Sequence, residues 1–337
     1  MNQNLSIIIL AAGKGTRMKS QNAKVLHEVF YAPMIEHVLH ATIQLHAEKT
    51  VVVVGHQQER VKNQLLSFEV IFAEQTEQLG TGHAVLSAEK ALEGVTGTIM
   101  ILCGDTPLIR PQMLEELLEF HRLNNSHVTL LTTHLSDPTN YGRIISDQTG
   151  NILSIVEQKD ANDEQLRISE INAGIYCVDK QFLFSTLQEV GTNNSQGEVY
   201  LTDIVHLAVA KGLRVKKYTT SDTIDVLGVN SRLELSLAQT ELQLRRNKEL
   251  MSNGVSMINP ETIRVSKDSD ILADSLIEAC VQICQGSVIG RKTVVETGAV
   301  LKHCRVGDGA IIGAHCYLVN TTVDKGESVA PNTTCIA

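Results

Sequence analysis

The apolar positions of the chain follow two different periods. Up to residue 229, continuous apolar runs alternate with stretches in which apolar residues recur at helical spacing. Continuous runs are typical of strands buried on both faces, and their alternation with helices is typical of a doubly wound sheet. The pattern predicts strands at Leu5–Ala12, Thr50–Gly55, Glu69–Ala73, Thr98–Cys103 and His127–Thr133. It predicts helices at Pro33–His46, Gln57–Leu66, Gly82–Leu92 and Pro111–Leu123. We therefore expect an α/β fold with a mostly parallel, Rossmann-like sheet, in which ligands lie beyond the carboxyl ends of the strands.

Residues 230–254 form one long polar stretch with helical spacing, which predicts a helix that links two domains. After it, aliphatic residues recur every six positions, and the count slips by one residue twice. The members of this series are Ile271, Ile277, Ile283, Ile289, Val295, Leu301, Val306, Ile312, Leu318, Val323, Val329 and Cys335. A sustained period of six is typical of a parallel β-helix, and these positions predict about four coils. We expect domains at residues 1–229 and 255–337, and we expect the exposed faces of the β-helix to self-associate.

Composition and charge exclude several classes of protein. Of the 337 residues, 43% are hydrophobic and 20% are charged, which excludes a disordered or collagen-like chain. No apolar run reaches the roughly 18 residues that a membrane helix needs. The net charge of −9 and the absence of a basic run argue against binding to nucleic acid or to an anionic membrane.

The seven cysteines contain no CxxC pair and favour a reducing, cytoplasmic location. Five of them lie in the region of the six-residue period: Cys280, Cys284, Cys304, Cys316 and Cys335. Two are preceded by histidine, a combination that suggests zinc. Only Cys280 and Cys304 share a position within the period, and they are 24 residues apart rather than the ~18 of one coil. The cysteines should therefore not stack into a tetrahedral site. We interpret them as small buried hydrophobic residues.

The first predicted strand runs into the segment Leu10–Met18, LAAGKGTRM. Gly13 and Gly15 allow the backbone to turn tightly and to bring its N–H groups close to a phosphate. Arg17 can bind phosphate oxygens with two donors, and Lys24 adds a positive charge. The segment lacks the third glycine of a dinucleotide-binding motif, and its lysine is followed by glycine rather than by the serine or threonine of a Walker A loop. It therefore predicts a phosphate site of another kind.

The segment Leu10–Met18 together with Lys24 resembles the signature of the sugar-1-phosphate nucleotidyltransferases. The segment Gln75–Ala84, QTEQLGTGHA, is similar to the uracil-binding stretch of one branch, the bacterial N-acetylglucosamine-1-phosphate uridyltransferases. In that branch the domain is followed by a left-handed β-helix with acetyltransferase activity. The resemblance covers essentially the whole chain, from the nucleotidyltransferase domain through the linker helix to a short left-handed β-helix.

The resemblance implies that UTP contacts residues at the ends of several strands. These residues are Leu10, Ala11, Ala12, Gly13, Lys24, Gln75, Gly80, Thr81, Cys103, Gly104 and Asp105. Gln75 would read the uracil edge. Asp105 and Asn230 would hold a Mg²⁺ ion, a hard cation that prefers oxygen ligands. From the residues alone, Asp105 is equally an ordinary loop residue and Asn230 an ordinary helix N-cap, and these alternatives stay open.

Three further segments resemble those that hold the sugar in this family. Glu157 and Asn172 would form hydrogen bonds with sugar hydroxyls and with the N-acetyl region. Gly142 would allow the backbone to approach the sugar closely. Taken singly, each of the three is an ordinary residue at the edge of a strand.

The implied reaction transfers a uridylyl group from UTP to N-acetylglucosamine 1-phosphate and releases pyrophosphate. Its product, UDP-N-acetylglucosamine, is a precursor of peptidoglycan and lipopolysaccharide. Arg17 and Lys24 are the expected catalytic cations, because the sugar phosphate is already ionised and needs no general base. The family also implies a homotrimer formed through the β-helix.

The sequence departs from the family at Cys103, where tyrosine is usual. The residues of the acetyltransferase site would lie beyond residue 337, so we do not expect that second activity from this chain. Two alternatives remain: a nucleotidyltransferase that uses glucose 1-phosphate or dTTP, and a non-catalytic regulatory subunit. The presence of Arg17, Lys24, Asp105 and Asn230 favours an enzyme.

Overall fold

The strongly apolar runs of the first two-thirds of the chain form one nine-stranded sheet. A computed structural model describes residues 4–337. The strands are β1 (Leu5–Ala11), β2 (Lys49–Val54), β3 (Ile71–Glu74), β4 (Thr98–Cys103), β5 (Val128–His134), β6 (Arg143–Ser146), β7 (Ile152–Val156), β8 (Glu170–Asp179) and β9 (Val215–Thr219). The central order is β9-β5-β8-β4-β1-β2-β3, and β6 pairs with both β8 and β7. The predicted α/β fold is confirmed.

Strand β8 is the one central strand that runs antiparallel to its neighbours, β4 and β5. Its register against β5 shifts between Asn172 and Tyr176, where Gly174 has a φ of 75°. Such a bulge re-aims the side chains beside it, and bulges are common next to active sites. The irregularity therefore falls on a residue of the predicted sugar site.

Helices cover both faces of the sheet. They are α1 (Met34–Ile43), α2 (Gln58–Gln64), α3 (Thr81–Leu86), α4 (Pro111–Leu123), α5 (Asp163–Leu166), α6 (Lys180–Leu187) and α7 (Asp203–Ala210). Separate clusters of buried aliphatic side chains lie on the two faces, so the sheet has a core on each side. Within residues 4–337, no helix combines the length and the apolar character needed to cross a bilayer.

The helix predicted at Gly82–Leu92 is in fact two shorter pieces. Helix α3 ends at Leu86, and a 3₁₀ turn follows at Lys90–Leu92. Both the N–H and the hydroxyl of Ser87 donate to the carbonyl of His83. A serine hydroxyl that bonds to the preceding turn in this way disturbs a helix, and this contact stands where α3 ends.

Contacts divide the described chain into two units, the first ending at Arg232 and the second beginning at Leu233. The short segment Val29–Tyr31 is grouped with the second unit. The boundary lies at the start of helix α8 (Arg232–Ser252), so almost all of the predicted linker helix is part of the second unit.

Helix α8 is joined to the first coil of the β-helix by buried polar side chains. The Asn247 amide donates to the carbonyls of Pro260, at 2.7 Å, and Ile263, at 3.0 Å. Gln243 donates to the carbonyl of Val265. Backbone carbonyls at the end of a β-helix need donors once they are buried. The polar stretch that predicted a connector therefore supplies those donors.

Three parallel sheets build the second unit. The first contains Ser256–Met257, Leu276–Ile277, Val294–Val295, Ile311–Ile312 and Ser328–Val329. The second contains Arg264–Val265, Gln282–Cys284, Val300–Lys302, Tyr317–Val319 and Thr334–Ile336. The third contains Asp270–Ile271, Val288–Ile289, Arg305–Val306 and Thr322–Val323. This arrangement fits the predicted left-handed β-helix, and it begins earlier than the aliphatic series suggested.

The two slips in the six-residue period fall at one corner of successive coils. Gln282 pairs with Val300, eighteen positions later, whereas Val300 pairs with Tyr317, seventeen positions later. His303 and Asn320 stand at the shortened corner, each with a φ of 53°. Each slip is therefore a one-residue deletion at this corner that leaves the strand register intact.

The cysteines of the β-helix are not all buried. Cys284, Cys304 and Cys316 lie in the interior, and Cys335 is half-buried. Cys280 is exposed, because it occupies a corner with a φ of 62°. The interpretation as buried hydrophobic residues is therefore wrong for Cys280.

We predict a large loss of stability when an interior side chain of the β-helix is shortened. Ile283 is fully buried in the apolar cluster of the second unit. Ile283→Ala should lower the free energy of unfolding of this unit by about 2–5 kcal/mol, because it removes buried methyl groups and leaves a cavity. Urea denaturation monitored by circular dichroism measures the change. Ile258→Ala, at a position 46% exposed, is the control and should cost less than about 0.5 kcal/mol. Equal losses in the two variants would contradict the assignment of Ile283 to the core.

Candidate functional site

The carboxyl ends of β1, β3 and β4 open into a cleft of about 410 Å³. Ten of the eleven residues predicted to contact UTP line it: Leu10, Ala11, Ala12, Gly13, Lys24, Gln75, Gly80, Thr81, Cys103 and Asp105. The predicted residues Arg17 and Asn230 line it as well. Gly104 lies directly behind the wall, where its N–H donates to the carbonyl of Leu10 at 2.9 Å. The structure thus brings together the nucleotide residues that the sequence suggested.

The glycine-rich loop after β1 packs closely on Lys24. Gly15 has a φ of 60°, and a Cβ built on it would lie 2.5 Å from the Cβ of Lys24. Only glycine combines this left-handed conformation with so close an approach. Gly13 and Arg17 are exposed on the same loop. The loop therefore fixes the position of Lys24 while it leaves its own donors accessible from the cleft.

Four charged or amide side chains meet at one end of the cleft, although they come from distant parts of the chain. The Lys24 ammonium contacts both the Asp105 carboxylate and the Oδ1 atom of Asn230. The Arg17 guanidinium donates to the same Oδ1 atom at 2.8 Å. Asn230 thus turns its oxygen toward the cleft. Two positively charged side chains, Arg17 and Lys24, meet two side-chain oxygens at this point. The charges can bind phosphate groups, and the oxygens can act as ligands of a metal ion bound between the phosphates and the protein.

The oxygen donors of Asp105 and Asn230 fit a divalent cation. Both the Asp105 carboxylate and Asn230 Oδ1 contact the Lys24 ammonium, so the two oxygens converge on one small region. In residues 4–337, no group of three or more histidine, cysteine, aspartate or glutamate side chains is arranged to hold a metal. Two protein oxygens are nevertheless typical of Mg²⁺, which takes its other ligands from substrate phosphates and water.

Two contacts fix the loop that carries Asn230 against the loop that carries Asp105. The N–H of Val229 donates to the carbonyl of Asp105 at 2.8 Å. The Arg110 guanidinium lies 2.8 Å from the fully buried carboxylate of Asp225. Sequence reasoning missed this ion pair, because its members are 115 positions apart and neither lies in a recognisable motif.

The other end of the cleft is formed by the segment that resembles a uracil site. Gln75 is 5% exposed, and its Nε2 atom lies 3.1 Å from the Gly80 carbonyl and 3.1 Å from His83 Nδ1. Gln78 donates to the carbonyl of Ala12 at 3.1 Å and so connects the segment to the glycine-rich loop. Gln78 lies within the quoted motif but was not predicted to have a role.

The predicted sugar residues form a second cluster, beside the cleft rather than in its wall. The N–H of Asn172 donates to the carbonyl of Gly142 at 2.9 Å, and a Cβ on Gly142 would lie 3.5 Å from the Glu157 carboxylate. Thr202, which the sequence did not single out, donates its hydroxyl to Glu157 at 3.1 Å. The Asn172 amide donates to the hydroxyl of Tyr176 at 2.6 Å.

Burial dominates the acidity of the groups around this second cluster. It raises the pKa of Glu157, and the nearby Asp160, Asp203 and Glu198 raise it further, while the Thr202 hydrogen bond opposes them. It raises the pKa of Tyr176 well above its usual value, with a smaller contribution from Glu157.

Cys103 lies between the cleft and the second cluster. Burial raises the pKa of its thiol to about 12. Its sulfur is 3.8 Å from the carbonyl of Gly174, which lies in the bulge of β8. The cleft and the predicted sugar residues are therefore neighbouring parts of one surface.

A comparison with known families identifies the family to which this fold belongs. The nucleotidyl transferase family matches residues 6–241, a range that contains every residue of both clusters. The chain belongs to the nucleotidyl transferase family. Relatives of this nucleotidyl transferase include the bifunctional protein GlmU of Desulfotalea psychrophila, 53% identical over 325 residues and 96% of each chain. The bifunctional protein GlmU of Geotalea daltonii is 44% identical over 90% of this chain and 67% of its own. The bifunctional protein GlmU of Streptococcus gordonii is 42% identical over 96% of this chain and 70% of its own.

These relatives confirm the predicted activity. The nucleotidyl transferase is an enzyme that transfers a uridylyl group from UTP to N-acetylglucosamine 1-phosphate and so makes UDP-N-acetylglucosamine for the cell wall. They favour this activity over the alternative sugar phosphates and over a non-catalytic subunit. Enzymes of this family depend on a divalent metal ion.

The contact of Gly15 with Lys24 predicts a specific loss of activity in this nucleotidyl transferase. Gly15→Ala should displace Lys24 and lower kcat/KM on the order of 100-fold, because a misplacement of about 1 Å disrupts the alignment of reacting groups. Release of pyrophosphate measures the effect. Gly94→Ala is the matched control: Gly94 has a φ of 81° but nothing within 4 Å of a built Cβ. An equal loss in both variants would show that backbone strain, not the Lys24 contact, is responsible.

Proposed function

We propose that the cleft binds UTP with Mg²⁺, and that Gly142, Glu157 and Asn172 bind the sugar of N-acetylglucosamine 1-phosphate beside it. This proposal depends on one observation: Arg17, Lys24, Asp105 and Asn230 meet at one end of the cleft. They come from distant parts of the sequence, so only the fold brings them together. In this assignment residues 1–229 are the catalytic domain, residues 230–254 the helix between the domains, and residues 255–337 the β-helix.

The proposed reaction is an in-line displacement. A phosphate oxygen of the sugar phosphate attacks the α-phosphorus of UTP and forms a new P–O bond, while the bond to the bridging oxygen breaks and pyrophosphate leaves. No proton has to move, because the attacking oxygen is already ionised at neutral pH. The barrier is then lowered by positioning and by stabilisation of charge.

The cations of the site have separate roles. Arg17 and the N–H groups after Gly13 hold the leaving pyrophosphate, since both are exposed on the loop at the cleft. Lys24 neutralises the two phosphate groups that meet during the displacement. Asp105 and Asn230 would hold the metal ion, which would supply positive charge beside the phosphate groups. On ligand binding, Lys24 exchanges its contacts with Asp105 and Asn230 for substrate oxygens.

The second cluster supplies recognition of the sugar. Glu157 accepts hydrogen bonds from sugar hydroxyls, and the hydroxyl of Thr202 keeps its carboxylate in place. Asn172 is held at the bulge of β8 by the Gly174 N–H at 3.0 Å and faces the N-acetyl region. Gly142 presents its backbone to the sugar, and no larger residue fits there, because a Cβ would lie 2.9 Å from Ile155.

Removal of the Asp105 carboxylate tests the assignment. Asp105→Ala should raise the barrier by about 2.7–4 kcal/mol, a loss of roughly 100- to 1,000-fold in kcat, because the metal loses a ligand and Lys24 loses its partner. The measurement is pyrophosphate release from UTP and N-acetylglucosamine 1-phosphate over a range of Mg²⁺ concentrations.

In the same assay, glucose 1-phosphate and dTTP serve as competing substrates. The exposed Asp163, at the start of α5, provides the control Asp163→Ala, which should retain full activity. Near-native turnover of Asp105→Ala would reject the proposed metal site.

We also propose that the protein is a homotrimer through the β-helix and acts in the cytoplasm. An apolar column on the outside of the first sheet of the β-helix supports the homotrimer. In this column Leu276, Val294 and Ile311 stack in register with their side chains outward. Seven free thiols support a reducing compartment.

If the outer apolar column is the trimer interface, a single charge introduced into it should dissociate the trimer. Ile311, 41% exposed, would be buried in an interface along this column. Ile311→Lys should convert the trimer to a monomer, because an unpaired charge is costly to bury. Light scattering after size-exclusion chromatography gives the mass. Thr322→Lys, at an exposed position of another sheet, should leave the mass unchanged. A trimer in both variants would exclude this column as the interface.

A further inference from the structure

Arg143, the first residue of β6, is a fully buried arginine beside the second cluster, with a side chain only 1% exposed. Its guanidinium donates to the carbonyl of Tyr141 and, at 2.7 Å, to the side-chain oxygen of Gln158. Both acceptors are neutral, and within residues 4–337 its Nε–H group has no hydrogen-bond partner. A buried charge that bonds to neutral acceptors is costly, and an apolar side chain of similar volume is often more stable in such a place. The fold thus holds an arginine where stability alone favours an apolar residue.

The two acceptors of Arg143 stand at the open end of the hairpin that β6 and β7 form. Tyr141 lies just before β6, and Gln158 lies just after β7. Gly142 follows Tyr141 along the chain, and Glu157 precedes Gln158. The guanidinium therefore joins the two strand ends that carry Gly142 and Glu157.

Gly142 and Glu157 lie on the face of the hairpin opposite this guanidinium. A Cβ built on Gly142 would lie 2.9 Å from Ile155 and 3.5 Å from the Glu157 carboxylate, so these three residues share one face. Side chains of an extended chain alternate between faces, so Arg143 and Gln158 share the other. Arg143 thus supports the predicted sugar residues from behind.

The backbone of Arg143 is also the point at which the hairpin joins the central sheet. In the part of the chain that the structure describes, the pairing of β6 with β8 consists of Arg143 opposite Ile171. Beside this pair, the N–H of Asn172 donates to the carbonyl of Gly142 at 2.9 Å. The spacing of Gly142, Glu157 and Asn172 therefore depends on how Arg143 is held.

We propose that Arg143 and Gln158 are positioning residues that set the affinity for the sugar phosphate, because their contact fixes the spacing of Gly142 and Glu157. This inference rests on the proposed sugar site. The described lining of the nucleotide cleft contains neither Arg143 nor Gln158. Loss of their contact should therefore weaken binding of the sugar phosphate and leave binding of UTP unchanged.

The experiment compares the KM for N-acetylglucosamine 1-phosphate with the KM for UTP in variants of the full chain. Gln158→Met removes the acceptor at a half-buried position. It should raise the KM for the sugar phosphate about 10-fold, the effect of one lost hydrogen bond to a charged group, and leave the KM for UTP unchanged. Gln158→Glu is the matched control, because it keeps an oxygen acceptor for the guanidinium and should keep the wild-type KM.

Two further variants complete the test. Arg143→Lys keeps the charge but loses the planar fork that reaches two acceptors, so it should resemble Gln158→Met. Glu157→Gln changes the sugar site itself and should raise the same KM. Circular dichroism shows which variants are folded, and the Gln158 variants decide the test if Arg143→Lys is not.

Each outcome has a distinct meaning. A wild-type KM for the sugar phosphate in Gln158→Met overturns the inference. An equal rise in the KM for UTP also overturns it, because the contact would then support the fold in general. A rise in Gln158→Glu as large as that in Gln158→Met overturns it as well, because the acceptor would be irrelevant. An unchanged KM in Glu157→Gln rejects the proposed sugar site, and the inference falls with it.

Discussion

The contact of Lys24 with Asp105 and Asn230 is the constraint on which the candidate site depends. Opposite charges attract strongly where they are partly shielded from water, and Lys24 and Asp105 are both largely buried. Each of the three residues comes from a different loop, so the contact can form only when the sheet is complete. The elements around it hold those loops: the glycine-rich turn sets Lys24, and the pair Arg110–Asp225 joins the other two.

The antiparallel strand β8 brings the second cluster of candidate site residues to the side of the cleft. In open α/β sheets, ligands bind in a crevice outside the carboxyl ends of the parallel strands. Strand β8 runs the other way beside β4, and its bulge places Asn172 and Gly174 next to Cys103. The amino-terminal half of β8 thus lies against the carboxyl end of β4. The cleft and the second cluster therefore share a border at Cys103.

The sequence predicted those features that depend on local periodicity. Buried strands such as Thr98–Cys103 and the inward positions of the β-helix have no alternative environment, so their pattern determines their place. Site residues such as Asp105 could be proposed because a motif carries them. The ion pair Arg110–Asp225 and the contact between Gln75 and His83 could not, since they depend on how distant or neighbouring loops close. The sequence predicted helix α8 as a connector but did not predict the role of its buried amides. Those amides donate to backbone carbonyls of the β-helix, and a periodic pattern of apolar residues does not indicate such contacts.

The thiol of Cys103 has a consequence for the chemical reactivity of the molecule. Burial raises the pKa of this thiol to about 12, so the group stays a thiol at neutral pH, whereas the thiolate is the nucleophile. Electrophiles and oxidants should therefore react poorly with Cys103, even though it borders the cleft. Cys280 is exposed at a corner of the β-helix and offers a separate attachment point for a fluorophore or a spin label. The chain can thus be labelled in its second unit while the nucleotide cleft stays chemically intact.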